Sequence, residues 1–448
     1  GRILDQESHK VVVDMKTRVK GRYGTGQCDG WKNITKTSLV ASMINVEYMP
    51  YLLNAVDISA QVKNAENLLE IVVNEISYCV EMLGTVVVAW CTDSSGESVK
   101  MRRLLRQRIP SIVTVACWAH QLNLVVADYL KVKQPFIAVV DTAVEVIKWF
   151  NNHGRALGLL KEEMRLRFNG KVYSLILPVI TRWTSHYVSC QRLLLVEKAI
   201  RALTLYKRPD LEGCAGDRAD AKAKAKEIVK ITESAWFWDN LRQVKKHLKP
   251  LAIAVNATQA NHARLDVVLL TLGHLYHLFL DPGYDDEIFL LALVLNPYIR
   301  RSVFRLHNPA ITEATLWNIL SRRYKEMFGD EPELAMSEAF TDYLHYMSEF
   351  SAEAMCLRQQ EQMAEKAGTD VNLVTLWRRL DCGLTNGRNG IVVMAMRILS
   401  IVPNSAATER IFSAFGIVHT DIRNRLDPER VRKTVLVKGS LDQQYPPA

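Results

Sequence analysis

Val86-Val-Val-Ala-Trp-Cys-Thr-Asp93 is a near-continuous apolar run that ends in an acid, and its flanks decide how the chain folds. A run this short and this rich in β-branched residues reads as a strand buried on both faces of a sheet. Before it, Asn64 to Leu83 has helical spacing, with Leu68, Leu69, Val72, Val73, Ile76, Val80 and Leu83 on one face, and Gly84 follows. Earlier still, Ser38 to Val46 and Tyr48 to Asp57 are two strand-like runs separated by a turn, and a short strand-like stretch leads into Cys28-Asp-Gly-Trp31. After it come a helix over 97–108 and a further strand, Ile112-Val-Thr-Val-Ala116. The order β-β-β-α-β-α-β makes a mixed sheet with helices on its faces.

That order is the RNase H-like one, in which the first and fourth strands lie side by side. Asp29 and Asp93 would then meet at neighbouring strand ends. Carboxylates so placed are hard oxygen donors able to hold divalent cations about 4 Å apart for phosphodiester chemistry. Taken singly, each acid has a local explanation, since Asp-Gly is a common turn and Thr-Asp-Ser-Ser-Gly a common helix cap. A third acid, Glu409, lies in Asn404-Ser-Ala-Ala-Thr-Glu-Arg-Ile-Phe-Ser413. Read locally, this is an amphipathic helix with Ile411, Phe412 and Phe415 in the core. If that helix reaches the same sheet edge, Glu409 closes an acidic pocket.

From about 119 to 350 nearly everything has helical periodicity. Within that block, Lys207 to Arg218 has turn composition, Ala219 to Lys226 reads as a solvated helix start, and 357–370 reads as a linker or exposed helix. The expected division is a sheet domain's first part over 1–150, an α-helical insertion over 151–370, and a C-terminal part over 371–448 that completes the sheet domain.

With 48% hydrophobic and 23% charged residues the chain suits a packed globular protein, and its net charge of +9 over 448 residues suits a polyanion partner. Eight scattered cysteines fit a reducing compartment. No apolar run reaches bilayer-spanning length, and the opening residues carry no signal-peptide pattern, so no membrane association and a nuclear or cytosolic location are expected. Cys117-Trp-Ala-His120 has the spacing of a zinc half-site, but the next candidates are His153 and Cys190, so no zinc is expected. The better expectation is a packing thiol, with His120 reaching the acidic pocket. Arg182-Trp183 reads as a buried Trp beside a surface Arg, or as an exposed pair that stacks on a base or clamps a phosphate. Arg423, Arg425, Arg430, Arg432 and Lys433 form a basic cluster, either a surface helix start or a phosphate-facing patch.

Taken together, these segments resemble the hAT-superfamily DNA transposases. Ile398 to Ser413, with its Ser-x-x-x-Glu-Arg-x-Phe-Ser core, followed by Arg423-Asn-Arg-Leu426, looks like that family's dimerisation region. Leu376-Trp377 sits where the region usually carries a Trp pair, with Arg378 in place of the second Trp. Asp29-Gly-Trp31, Thr92-Asp93, Cys117-x-x-His120 and Arg182-Trp183 occur upstream in the family's order. The resemblance implies an RNase H-like catalytic core split by a helical insertion, with Asp29, Asp93 and Glu409 as catalytic and metal-binding acids. It further implies Mg2+ or Mn2+ as cofactor, double-stranded DNA (transposon ends and target) as substrate, and a homodimer or higher oligomer. It casts Cys117, His120, Arg182 and Trp183 as residues that shape the site and handle flanking DNA. Family members usually begin with a BED-type zinc finger, and no such Cys/His cluster occurs in this sequence. A second reading is a domesticated transposase that acts as a nuclear DNA- or chromatin-binding regulator without catalysis.

Overall fold

Five strands form one mixed sheet in the order β3-β2-β1-β4-β5. They are β1 (Tyr23–Lys32), β2 (Ser38–Val46), β3 (Met49–Asp57), β4 (Val86–Thr92) and β5 (Val113–Ala116). The first three form an antiparallel meander, and β4 and β5 add in parallel on the other side of β1. This is the expected RNase H-like sheet, seen in a computed structural model that describes residues 2–32, 36–132, 134–179, 184–260, 262–279, 287–302, 311–418 and 428–444. All eight cysteines are unpaired.

Alternation along β1 assigns its side chains to two faces. Gly24, Gly26, Cys28 and Gly30 point to one, which is covered by α1 (Arg2–Val19), α2 (Ala65–Ser77) and α3 (Gly96–Arg108). There Met15, Val19, Leu69, Val72, Ile76, Met101 and Leu105 pack with Ile44 and Trp90. The register pairs Gly26 with Trp90, and a Cβ at Gly26 would come within 2.1 Å of the Trp90 ring. Gly26→Ala is therefore expected to destabilise the sheet by roughly 1–3 kcal/mol through overpacking. A drop in the denaturant midpoint, rescued by shrinking Trp90 in a double variant, checks this; an unchanged midpoint refutes it.

The turn between β2 and β3 places two non-glycine residues in the left-handed region, Glu47 at φ 49° and Tyr48 at φ 74°. Buried contacts hold them there. Glu47 accepts from Arg22 at 3.0 Å and is gripped by both terminal nitrogens of Arg378, while the Tyr48 hydroxyl donates to the Leu399 carbonyl at 2.7 Å. Arg378, which stands where the resembling family carries a Trp, is thus the partner of a buried acid.

Residues 121–256 form a compact unit of their own. The helices spanning this region are α4 (Trp118–Lys131), α5 (Pro135–Asn152), α6 (Gly154–Arg167), α7 (Thr184–Leu195), α8 (Glu197–Tyr206), α9 (Arg208–Glu212), α10 (Ala219–Glu233) and α11 (Ala235–Gln259). Ile147, Phe150, Leu160, Leu193, Ile200, Leu203, Ile228, Phe237 and Trp238 are fully or almost fully buried there. The stretch read as a loop over 207–218 contains α9 and a short 3-10 turn.

The other unit comprises residues up to 120 together with 257–448. After α11 it continues with α12 (Leu265–Phe279), α13 (Glu287–Val294), α14 (Glu313–Phe328), α15 (Leu334–Leu344), α16 (Leu357–Ala367), α17 (Leu373–Arg378), α18 (Gly390–Leu399), α19 (Ala406–Val418) and α20 (Pro428–Gln444). The expected boundaries at 150 and 370 do not coincide with these units. Helices α12 to α15 share one core with the sheet, in which Val268, Phe289, Leu316 and Phe340 join Val88, Ala89 and Cys91. Arg300 is fully buried in this unit. It donates to the carbonyls of Pro297 at 3.2 Å, Phe350 at 2.7 Å and Tyr343, and lies over the rings of Tyr343 and Tyr346. Among the described residues no helix is long and apolar enough to cross a membrane.

Candidate active site

Thr25, Gln27, Asp29 and Trp31 occupy the second face of β1, where α18, α19 and α20 pack. Residues 400–405 cross this face: the Thr25 hydroxyl bridges the Ser400 carbonyl at 3.4 Å and the Val402 N–H at 3.0 Å. The chain then enters α19. Phe412 of α19 stacks on Trp31 at 5.6 Å between ring centroids, and Phe415 meets the same indole edge-on at 6.4 Å. Trp31 is two residues beyond Asp29 on one face, and Glu409 is one helical turn before Phe412. The aromatic stack therefore sets Glu409 on the side of the sheet that carries Asp29.

Asp93 follows β4, which runs parallel to β1 with Gln27 opposite Cys91, so Asp93 ends up beside Asp29. Its carboxylate accepts from the Ser95 hydroxyl at 3.1 Å, and Ser95 also caps α3 through the Ser98 N–H. From α3, the Arg102 guanidinium holds the Thr92 hydroxyl and the Asp93 carbonyl. Asp29 and Asp93 share the wall of a cleft of about 290 Å3 with Lys32, Asn64, Ser95 and Glu97. Glu409, half-buried, is not part of that wall.

Burial, then the charge of Asp93, and further the charge of Glu409 push the Asp29 carboxyl up to about 7; the Gly30 N–H, which donates to it at 2.8 Å, acts the other way. Its folded pKa thus exceeds its unfolded one, so Asp29 favours the fold while protonated. That contribution is fully present below about pH 4 and is lost as pH rises through about 7. Asp29→Asn is expected to raise the melting temperature in EDTA at pH 8, by up to about 4 kcal/mol of stability, with the gain shrinking toward pH 4.5. An equal shift at both pH values would contradict this origin.

Among the described residues no three His, Cys, Asp or Glu side chains form a closed ion-binding group. The donor chemistry nonetheless fits a hard divalent cation: the acids are oxygen donors, and their mutual repulsion at Asp29 is what a cation would relieve.

Cys117 is a fully buried thiol that caps α4 and ties β4 to the approach to α19. Its N–H donates to the Thr92 carbonyl at 2.8 Å, its sulfur accepts the Ser405 N–H at 3.4 Å, and Trp118 donates to the Pro403 carbonyl at 3.0 Å. Hydrogen bonds from the Cys91 thiol and Ser405 pull its pKa down against burial. His120 sits in the first turn of α4, half-buried and outside the cleft wall. Arg182, Trp183, Arg423 and Arg425 lie outside the described residues. Of the rest of the basic cluster, Arg430 is exposed, Arg432 pairs with Glu429, and Lys433 pairs with Asp5 and Glu429, tying α20 to α1.

Two residues went unread in the sequence. Arg102 holds the strand end that carries Asp93, and nothing in a basic run on α3 distinguishes it from its neighbours. Gln27, fully buried with neither amide atom hydrogen-bonded among the described residues, lies between Thr25 and Asp29 on the site's face. A long polar side chain alternating with an acid along a strand was the available signal.

Three family models match in chain order: a domain of unknown function (DUF659) over residues 1–151, the ZBED1 RNase-like helical domain over 115–228, and the hAT family C-terminal dimerisation region over 347–441. The first contains the whole sheet, the second falls largely on the helical unit, and the third takes in α16 to α19 and most of α20. Together the three matches support a transposase-like protein of the hAT family. The dimerisation-region match supports oligomerisation. No curated protein matches the chain.

Proposed function

We propose that the protein is a metal-dependent DNA transposase of the hAT type that cleaves and joins phosphodiester bonds of double-stranded DNA, at transposon ends and target, as a homodimer or higher oligomer in the nucleus. The observation that carries this reading is that neighbouring parallel strands carry Asp29 and lead into Asp93, with Glu409 on the same side of the sheet, held by the Trp31 and Phe412 stack, although the three lie far apart in the chain. Asp29, Asp93 and Glu409 would hold Mg2+ or Mn2+. A bound divalent cation supplies activation of the attacking oxygen and stabilisation of the leaving one. The protein's own part is placement: Arg102 and Ser95 fix Asp93, the Trp31 and Phe412 stack fixes α19, and Cys117 anchors the segment leading to it. Near neutral pH the Asp29 carboxyl retains a proton for part of the time and must release it to act as a full anionic donor.

The second reading, a domesticated regulator without catalysis, is favoured by one feature: the three carboxylates do not form a closed group among the described residues. Nicking of supercoiled DNA with Mn2+, compared between wild type and carboxamide variants of the three acids, separates the two.

A further inference from the structure

The positive charge of this chain resides in its helical unit. Residues 121–256 hold 23 of the 57 Lys and Arg but only 13 of the 48 Asp and Glu, a net of +10, and the remainder of the chain sums to −1. The unit with the acidic cleft therefore has no net attraction for a polyanion, and its three site acids repel one locally. Another surface must supply the attraction.

Within the helical unit acids gather around α9 and α10 and pair with many of the cations there, leaving Lys226 and Lys230 of α10 exposed and without an acidic partner among the described residues. Asp210 pairs with Arg155, Glu212 and Glu233 with Arg208, Asp217 with Lys222, and Glu145 and Glu227 with Lys224. A different face also keeps its charge. On α11, Lys245, Lys246 and Lys249 follow Arg242 at the three- and four-residue spacing of one helical stripe, and these three lysines have no ion-pair partner among the described residues. Glu197, at the start of α8, is bound by Arg201 of α8 at 3.5 Å and by Arg242 of α11 at 2.5 Å. One carboxylate thus sets the two helices' cations side by side. Lys198, likewise without an acidic partner among the described residues, lines a shallow depression on α8 with Arg167 and Arg201.

We propose that this face, from Lys198 and Arg201 on α8 to Lys245, Lys246 and Lys249 on α11, grips the phosphate backbone of duplex DNA. The assignment rests on the DNA-joining function proposed above and adds to it a location for sequence-independent affinity. Unpaired lysines along one helix suit phosphates, which need proximity of charge more than directed hydrogen bonds. Contacts of this kind position a protein on DNA and carry no base information.

The test is binding of the full chain to a fluorescent duplex of about 30 base pairs in EDTA, across about 50 to 200 mM salt. The triple variant K245A/K246A/K249A is expected to weaken binding by about 10-fold or more at the upper salt values and to flatten the logarithmic salt slope by about 2–3, alike for unrelated sequences. K16A/K366A/K438A, which removes three exposed lysines outside the helical unit, is expected to change affinity by less than about 2-fold. Circular dichroism verifies that both triples fold. If the first triple binds like wild type, or both lose equally, the surface assignment is overturned while the catalytic reading stands, because its three acids are untouched. If wild type binds no duplex even at low salt, the DNA reading falls and the surface assignment falls with it. Displacement of the duplex by polyglutamate at equal charge would point to an acidic protein partner and overturn the proposal.

Discussion

Glu409→Gln is expected to lower Mn2+-dependent nicking of supercoiled DNA by about 10²–10³-fold or more while leaving DNA binding intact. The substitution keeps size and shape and removes one anionic oxygen donor, so packing through Phe412 and Phe415 against Trp31 survives. Asp29→Asn and Asp93→Asn are expected to have losses of the same order. A double variant should be scarcely worse than either single one, because groups that act as one site do not contribute additively. Glu97→Gln is the control: it removes a charge from the same cleft wall but from the first turn of α3, and activity should stay within about 3-fold. Loss of activity in Glu97→Gln comparable to that in the other three would mean that overall cleft charge, not a specific triad, carries the reaction. A wild type that binds DNA but never nicks it would favour the domesticated regulator.

Arg300→Leu is expected to destabilise the sheet-containing unit by about 3–5 kcal/mol. The guanidinium serves three backbone carbonyls and two tyrosine rings, and no acidic side chain pairs with it among the described residues. Removing it leaves buried acceptors bare, at about 1–3 kcal/mol each for those that find no other donor. Arg300→Lys should recover little, because an ammonium cannot match the planar fork that reaches these carbonyls together. Arg301, next in sequence, is exposed and pairs with Glu313 at 3.6 Å, so Arg301→Ala should cost no more than about 1 kcal/mol. Denaturant midpoints compare the three, and an Arg300→Leu variant as stable as Arg301→Ala would refute the account.

Much of the sheet was legible because its signals are local. The apolar run at 86–92, the helical spacing over 64–83 and the turn between two strand-like runs each depend on a few neighbouring residues. Helix α1 escaped because its apolar positions are few and its composition polar. The limits of the helical unit escaped for another reason: α5 and α14 are both amphipathic helices, and amphipathicity shows that a face is buried without showing against what. Arg300 was invisible for the same reason that makes it matter. Its partners are carbonyls at 297, 343 and 350, and a backbone carbonyl has no sequence signature.

By itself the sequence determined the β-β-β-α-β-α-β order and the mixed sheet, and its family resemblance singles out three acids. Only the tertiary structure decided that Glu409 shares a face with Asp29, through an indole on β1 stacked on a phenyl ring of α19. It also decided that the net positive charge falls within 121–256, because a charge count gains meaning only once the boundaries of a folded unit are known. Periodicity and turn preference act over one or two helical turns, whereas which surfaces meet depends on packing across hundreds of residues, and no short window of sequence encodes that.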